Sequence, residues 1–256
     1  MTVNKAMSCG IIGFGAFGRF MAKHLATYFT LSIYDNANER DVGTNIPNAH
    51  FAPLEAVCGC DIVIYAAPVQ ALENVLQDIK DKLNPECLFI DVCSVKIKPV
   101  AHVLNILPKT IDFISLHPLF GPQSGRNGIE NLNIALCDVR SHRGQCVTLF
   151  LKEKLNLNVI ETTPEKHDRD MSYVMGLTHM MAKVFAMMDV GETAQTTRTY
   201  DLLLEMVDMI KDDSDDLFLA IQEENPFVED TKSRFFDAVS RLQTRLDRKQ
   251  AEIEKT

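Results

Sequence analysis

The chain has 256 residues, of which 46% are hydrophobic and 24% are charged, and its formal net charge is −9. These proportions are typical of a globular protein with one large or two smaller domains. The acidic balance argues against a nucleic-acid-binding protein, which requires a basic stripe. The chain contains no run of about 18 uncharged apolar residues, so no membrane span is predicted.

The cysteines and the first residues indicate a compartment. The seven cysteines are odd in number, none belongs to a CxxC pair, and no histidine–cysteine cluster suggests a metal. We therefore expect free, mostly buried thiols in a reducing environment and no metal site. Residues 1–8 contain no apolar segment of the kind that a secretory signal requires, so a cytoplasmic location is expected.

In the first part of the chain, residues 9–160, short apolar runs alternate with longer amphipathic ones. The runs predicted as strands are Cys9–Gly13, Leu31–Tyr34, Ile62–Ala66, Cys87–Val92, Phe113–Leu116, Ile134–Cys137 and Asn158–Ile160. Helical patterns between them include Ala16–Tyr28, Val69–Leu83 and Gly144–Lys154. This alternation, with strands that are apolar on both faces, predicts a doubly wound, mainly parallel α/β sheet.

The second part of the chain begins at Thr163-Pro164, a pair typical of a helix start. Beyond it we find no convincing strand, and the segments predicted as helices are 165–190, 198–211, 214–224 and 228–252. The sequence thus predicts an α/β domain over residues 1–163 and an all-α domain over residues 164–256. Because the helical domain is small and rich in methionine, we expect it to dimerise through its helices.

A glycine-rich turn joins the first predicted strand to the first predicted helix. Its sequence is Gly13-Phe14-Gly15-Ala16-Phe17-Gly18, and Asp35 ends the second strand 22 residues after Gly13. In a dinucleotide site the first glycine permits the tight turn, the second lets the backbone approach a pyrophosphate, and the third allows close packing. Ala66-Ala67-Pro68, after the third strand, is expected to form the adjoining wall. The alternative is a helix-opening turn without a ligand.

The second-strand carboxylate favours NAD over NADP. Asp35 would accept hydrogen bonds from the ribose hydroxyls and repel a 2′-phosphate. No arginine follows it directly, and Arg40 is five residues further on.

Polar residues also follow the next strands, at the sheet edge where ligands of doubly wound folds bind. Ser94 and Lys96 follow the fourth predicted strand, and His117 ends the fifth. A histidine is suited to removing a hydroxyl proton, and a lysine in a first helical turn is a candidate anion ligand. The alternatives are a helix N-cap for Ser94 and a structural role for His117. In the helical part, His179 interrupts an apolar run, so it either reaches a ligand or is a satisfied core histidine.

Taken together, these motifs resemble the TyrA family, the prephenate and arogenate dehydrogenases. The matching segments are GFGAFG with Asp35, AAPV at 66–69, DVCSVK at 91–96, HPLFGPQSGRNG at 117–128, and EKHDRD and LTH within 165–179. A further segment, TRTYDLLL at 197–204, is similar to the branch that includes plant arogenate dehydrogenases. The resemblance covers nearly the whole chain.

This resemblance implies a Rossmann-like domain followed by a helical dimerisation domain, and a homodimer that binds a small-molecule substrate. It implies oxidation of the ring hydroxyl of a cyclohexadienyl acid with loss of CO2, the hydride passing to NAD(P). His117 would be the catalytic histidine, Ser94 would bond the hydroxyl or the nicotinamide, and His179 would lie near the substrate. The nearest donors for the substrate carboxylates are Arg126, Lys96 and Ser124.

The sequence departs from the family pattern in two places. Gln123 stands where many bacterial members carry an acidic residue, and the helix near Tyr200 has no arginine until Arg234. There is also no chorismate mutase or ACT extension, so no regulation through such a domain is expected.

Prephenate and arogenate differ in a keto group and an ammonium group, and an ammonium would need a carboxylate partner. The loop offers the amides of Gln123 and Asn127, which favours prephenate, whereas TRTYDLLL favours arogenate.

Two alternatives to this family remain open. One is another two-domain NAD(P) dehydrogenase of the 3-hydroxyacid or imine-reducing type, although no asparagine follows Lys183 within four residues. The other is a catalytically silent NAD-binding dimer.

Overall fold

The computed structural model describes residues 7–36, 45–211 and 213–253. It divides into two compact units, Met1–His167 and Asp168–Thr256. The boundary predicted after residue 163 stays a prediction. It falls immediately before the helix Pro164–Met171, which contains the division after His167. Arg40, the arginine five residues after Asp35, lies outside the described residues.

The first unit is built on one eight-stranded sheet with the strand order β3-β2-β1-β4-β5-β6-β7-β8. Every neighbouring pair is parallel except β6 and β7, which are antiparallel. The strands are β1 Ser8–Ile12, β2 Thr30–Tyr34, β3 Ala49–Phe51, β4 Ile62–Tyr65, β5 Leu88–Asp91, β6 Asp112–Pro118, β7 Asn133–Arg140 and β8 Asn158–Glu161. The predicted mainly parallel, Rossmann-like fold is confirmed.

Five helices connect these strands: α1 Ala16–Leu25, α2 Leu54–Cys58, α3 Leu72–Ile79, α4 Ile97–Ile106 and α5 Gly144–Glu153. A 3₁₀ turn, Val69–Ala71, precedes α3. The central strands are apolar because both faces of the sheet are covered, and all four residues of β5 are buried. Each large apolar side chain buried in this way contributes roughly 1.5–3 kcal/mol to folding.

The seven cysteines, all within the described residues, are free thiols. Six of them are buried and Cys146, on α5, is exposed. Burial raises the pKa of the Cys58 thiol to about 11 and that of Cys87 to about 12. These side chains therefore behave mainly as small apolar core residues.

The described residues of the second unit form helices joined by turns and loops, without a strand. Its helices are α6 Pro164–Met171, which begins in the first unit, α7 Thr178–Met187, α8 Arg198–Ile210, α9 Asp215–Glu223 and α10 Val228–Ile253. Side chains cap two of them: Thr197 accepts a hydrogen bond from the Tyr200 N–H, and Ser214 accepts one from the Leu217 N–H.

The single helix predicted over residues 165–190 is interrupted by a π-helical turn, Ser172–Leu177. The Gly176 carbonyl in this turn accepts a hydrogen bond of 2.8 Å from the Gln222 side chain of α9. A π turn leaves a backbone carbonyl without its usual helical partner, and here a side chain supplies one. Among the described residues, no helix combines the length and apolar character that crossing a membrane requires.

Candidate active site

The glycine-rich turn between β1 and α1 is closely packed against the ends of β2 and β4. The Gly13 N–H donates to the Tyr34 carbonyl at 2.9 Å, and Gly13 has a φ of +103°, which a side chain would strain. A Cβ on Gly13 would lie 2.6 Å from the Ala67 nitrogen and 2.7 Å from the Ala66 carbonyl carbon. The turn therefore requires glycine at this position.

The N-terminus of α1 is open. Gly15 occupies the N-cap position, no side chain caps the helix, and no acidic residue lies in its first turn. A Cβ built on Gly15 would meet nothing within 4 Å, whereas one on Gly18 would collide with the Gly13 carbonyl oxygen. The free N–H groups at Ala16 and Phe17 and the helix dipole thus face a space suited to phosphates.

Asp35 closes the other side of this turn. Its carboxylate accepts a hydrogen bond of 2.6 Å from the Phe14 N–H, so the turn and the end of β2 are held together. The Phe14 ring itself is buried and packs edge-on against Phe51, so only its backbone faces the turn. Arg19, which none of the sequence motifs singles out, is an exposed cation whose guanidinium lies 4.7 Å from the Phe14 ring centre.

The adjoining wall follows β4. Ala66 and Ala67 are half-buried and Pro68 is exposed. The Tyr65 hydroxyl donates to the Pro68 carbonyl at 2.6 Å and fixes this segment against the sheet. The structure therefore brings Ala66 and Ala67 directly against Gly13, as the sequence predicts.

A buried ion pair lies behind the ends of β5 and β6. The Lys96 ammonium donates to Asp91 Oδ1 at 2.6 Å and to the Leu116 carbonyl at 2.7 Å, and neither charged side chain is exposed. Asp91 Oδ1 also accepts from the Cys93 N–H, while Asp91 Oδ2 and the register-paired Ser115 hydroxyl have no hydrogen-bond partner among the described residues.

This arrangement corrects two expectations. The structure argues against the expectation that Lys96 binds a substrate anion, because its ammonium is fully buried and already donates to Asp91 and Leu116. The N-cap alternative for Ser94 is wrong, since α4 begins at Ile97 and Lys96 occupies the N-cap position. The half-buried Ser94 hydroxyl has no hydrogen-bond partner among the described residues, which leaves it available to a ligand.

His117 lies near the end of β6 and is 5% exposed. Its Nδ1 is 2.8 Å from Nε2 of His167, a buried residue at the start of α6. Burial lowers the pKa of His117 well below its usual value, and repulsion from His167 and Lys96 adds to this effect. The ring is therefore neutral near pH 7 and can accept a proton through Nε2, the nitrogen that does not face His167.

The loop after β6 is held by short-range contacts. The Ser124 hydroxyl accepts a hydrogen bond of 3.0 Å from the Gly121 N–H, so Ser124 first of all shapes the loop. Gly125 is buried, and a Cβ there would lie 2.6 Å from the Phe20 ring. Gln123, Arg126 and Asn127 are exposed, and no side-chain hydrogen bond occupies them within the described part of the chain. They can meet a ligand without first breaking a contact.

His179 belongs to the second unit and is satisfied there. Its Nδ1 lies 2.9 Å from the Met175 carbonyl and its Nε2 lies 3.2 Å from Asp213. Both ring nitrogens thus have partners, as in the alternative of a satisfied core histidine. Its contact with a substrate stays a prediction.

Comparison with known proteins assigns this arrangement to a family. A family model for the nucleotide-binding domain of prephenate dehydrogenase matches residues 18–155, more than half of the chain. The chain belongs to the prephenate dehydrogenase family. A second family model, for a TYRAAT1-like C-terminal domain, matches residues 184–256 of this family member. The resemblance to the TyrA family is confirmed.

Two curated relatives of this prephenate dehydrogenase family member come from Arabidopsis thaliana. It is 28% identical over 252 residues to the chloroplastic arogenate dehydrogenase 1, covering 94% of this chain and 39% of that protein. It is 29% identical over 233 residues to the chloroplastic arogenate dehydrogenase 2, covering 87% of this chain and 65% of that protein. The chain thus spans between about two fifths and two thirds of the length of these relatives.

The fold is also that of a solved family structure, prephenate dehydrogenase from A. aeolicus in complex with hydroxyphenyl propionate and NAD+. The TM-score is 0.72 at 21% sequence identity, and the match covers 98% of this chain and 94% of that chain. This likeness supports the fold that the sequence predicts, an α/β nucleotide-binding unit followed by helices.

Proposed function

We propose that the chain catalyses the NAD-dependent oxidative decarboxylation of prephenate or arogenate. The observation that carries this proposal is the position and state of His117. It is a buried, neutral imidazole at the carboxyl edge of the sheet, the same edge that carries the glycine-rich turn suited to a dinucleotide. His117 Nε2 accepts the proton of the ring hydroxyl, and the O–H electron pair becomes a carbonyl bond. The ring carbon would give its hydride to NAD, and the ring carboxylate would leave as CO2. The electron pair of the broken C–C bond would then make the ring aromatic, and the carbonyl oxygen would take up a proton to become a phenol hydroxyl.

The other candidate residues are proposed to bind and orient the substrate and the nicotinamide. The unoccupied Ser94 hydroxyl is placed to bond the reacting hydroxyl or the nicotinamide amide. Arg126 is the loop cation for a substrate carboxylate, and the amides of Gln123 and Asn127 would contact the side chain. Ser124 supports the loop conformation.

The experiment that tests the proposal is NADH formation followed by absorbance, with prephenate and arogenate supplied separately. Turnover of either one supports the proposal, and the ratio of the two kcat/KM values identifies the preferred substrate. The curated relatives are named arogenate dehydrogenases, whereas the amides of Gln123 and Asn127 favour a keto acid. If neither compound yields NADH while NAD still binds, the silent NAD-binding dimer replaces this proposal.

Asp35 is proposed to set the preference for NAD. In the Asp35→Asn variant the amide oxygen can still accept from the Phe14 N–H, but the negative charge that repels a 2′-phosphate is gone. Because a like-charge contact costs several kcal/mol, the ratio of kcat/KM for NADP to that for NAD should rise by at least about tenfold. Steady-state kinetics with both cofactors measures it. Asp81→Asn, at an exposed carboxylate, is the control, and an unchanged ratio in Asp35→Asn would refute this role.

The helical unit is proposed to form a homodimer. Helix α10 exposes large apolar side chains at helical spacing, namely Phe236, Val239, Leu242, Leu246 and Ile253. A stripe of this kind is unfavourable in water and marks a protein interface. The mass in light scattering should be twice that of one chain, and the double variant Leu242→Glu/Leu246→Glu should halve it. Gln243→Glu, on the same helix, should stay dimeric; a monomeric wild type would contradict the proposal.

The cytoplasmic location stays a prediction. Both curated plant relatives are named chloroplastic, and the compartment of this chain is best tested by localising the tagged protein in its own cells.

A further inference from the structure

His167 is buried in the first unit, where its ring meets that of His117. The two ring centres are 5.0 Å apart at an angle of 64°, and the Nδ1–Nε2 distance of 2.8 Å is that of a hydrogen bond. The backbone of His167 is held by a hydrogen bond of 2.8 Å from its N–H to the Thr163 carbonyl, in the first turn of α6. The position of this ring is therefore set by the start of a helix.

The shared proton can sit on either ring, and the two arrangements differ in chemistry. If His117 Nδ1–H donates to His167, His117 Nε2 carries a lone pair and is a base. If His167 Nε2–H donates instead, His117 Nδ1 is the acceptor, so the single proton of the neutral His117 ring lies on Nε2 and this nitrogen cannot accept another. The direction of this one hydrogen bond thus decides what His117 can do.

We propose that His167 is a positioning residue whose Nε2 accepts the Nδ1 proton of His117 and holds that ring in the tautomer with a basic Nε2. This inference rests on the proposed function, because only a proton-abstracting His117 needs that tautomer. In the reaction the hydroxyl proton moves to His117 Nε2, and His117 Nδ1–H continues to donate to His167. The bond then has a charged donor, and it keeps the ring in the same orientation while the proton is on Nε2.

An imidazole partner affects the protonation of His117 differently from a carboxylate partner. In a serine–histidine–aspartate triad the aspartate orients the imidazole and also stabilises its charged form strongly. At the His117 site the orienting group is an imidazole, and Lys96 adds a nearby positive charge. His117 is therefore oriented without a carboxylate that would favour its protonated form, and it stays neutral between turnovers.

Two substitutions of His167 separate its role as a hydrogen-bond acceptor that orients His117 from its role in filling space. In His167→Gln, the side-chain oxygen can take the place of Nε2 and accept the His117 Nδ1–H. His167→Leu fills the space but offers no acceptor. We expect kcat to fall by about 10²-fold in His167→Leu, with KM for substrate and NAD nearly unchanged, because a misoriented base costs about that factor. His167→Gln should recover most of the wild-type kcat.

The tautomer can be read without any turnover, by ¹⁵N NMR of histidine-labelled protein at neutral pH. The chain has seven histidines, and the spectrum of His117→Asn assigns the His117 signals. We expect the Nδ1-protonated form in the wild type and in His167→Gln, and a mixture in His167→Leu. An Nε2-protonated wild type, or an unchanged tautomer in His167→Leu, would overturn the inference. A protein that shows the expected tautomers but oxidises neither substrate would refute the proposed function alone.

Discussion

Replacing His117 with asparagine is expected to lower kcat by about 10²- to 10⁴-fold, the usual contribution of a general base. Asparagine can still form a hydrogen bond to His167 but has no basic nitrogen to accept the hydroxyl proton. Because the glycine turn and Asp35 are untouched, the dissociation constant of NAD should be nearly unchanged. Initial rates of NADH formation and a separate NAD titration measure the two quantities.

The control for this variant is His142→Asn, at an exposed histidine just before α5, which should keep wild-type kinetics. A substantial residual rate in His117→Asn would mean that another group takes the proton.

The pH dependence of kcat/KM in the wild-type protein is a second test of His117 as the base. In the proposed reaction His117 acts in its neutral form, and burial together with repulsion from His167 and Lys96 lowers its pKa. The loss of kcat/KM on acidification should therefore occur below the ordinary histidine value of about 6.5. A loss of activity that begins above that value would contradict a buried neutral base.

Replacing Lys96 with methionine is expected to lower the free energy of unfolding by about 3–5 kcal/mol, because it leaves a buried carboxylate without its counter-charge. Asp91 would keep only the Cys93 N–H, and the Leu116 carbonyl would lose its donor. Urea titration followed by circular dichroism measures the change.

A double variant tests whether the loss comes from the unpaired charge. Asp91→Asn/Lys96→Met removes both charges and should recover much of the stability, since replacing a whole buried pair is often close to neutral. Lys109→Met, at an exposed lysine, should change stability by no more than about 0.5 kcal/mol. If the single Lys96→Met variant were as stable as Lys109→Met, the ion pair would not stabilise the first unit.

The extent to which the sequence predicts this fold depends on element length. Seven of the eight strands were predicted, and the central ones were recognisable because buried parallel strands form continuous apolar runs. Strand β3 and helix α2 were missed because they have three and five residues, too few for a recognisable period. The antiparallel direction of β7 was also not predicted, because the pattern of side chains along a strand carries no information on its direction.

The nucleotide turn was predictable because its requirements are local. Gly13 needs a positive φ, Gly18 needs close backbone contact, and both needs are visible in the spacing of one short segment. The same holds for Asp35, whose distance from the turn follows from one helix and one strand.

The environment of His117 was not predictable in this way. His167 meets His117 across 50 residues, and the only signal was its place in the EKHD segment. Lys96 was interpreted through the helix dipole, while Asp91, five residues earlier in the same motif, was given no role. Pairing of two buried charges depends on which strand ends meet, and only the folded sheet shows that.

The distribution of the cysteines has a practical consequence. Thiol reagents attack the thiolate. Six cysteines are buried away from such reagents, and desolvation also raises the thiol pKa of five of them, Cys9, Cys58, Cys60, Cys87 and Cys93. Cys146 therefore offers a single chemical handle on the folded chain for a fluorophore or spin label, while the other six thiols become reactive only as the sheet opens.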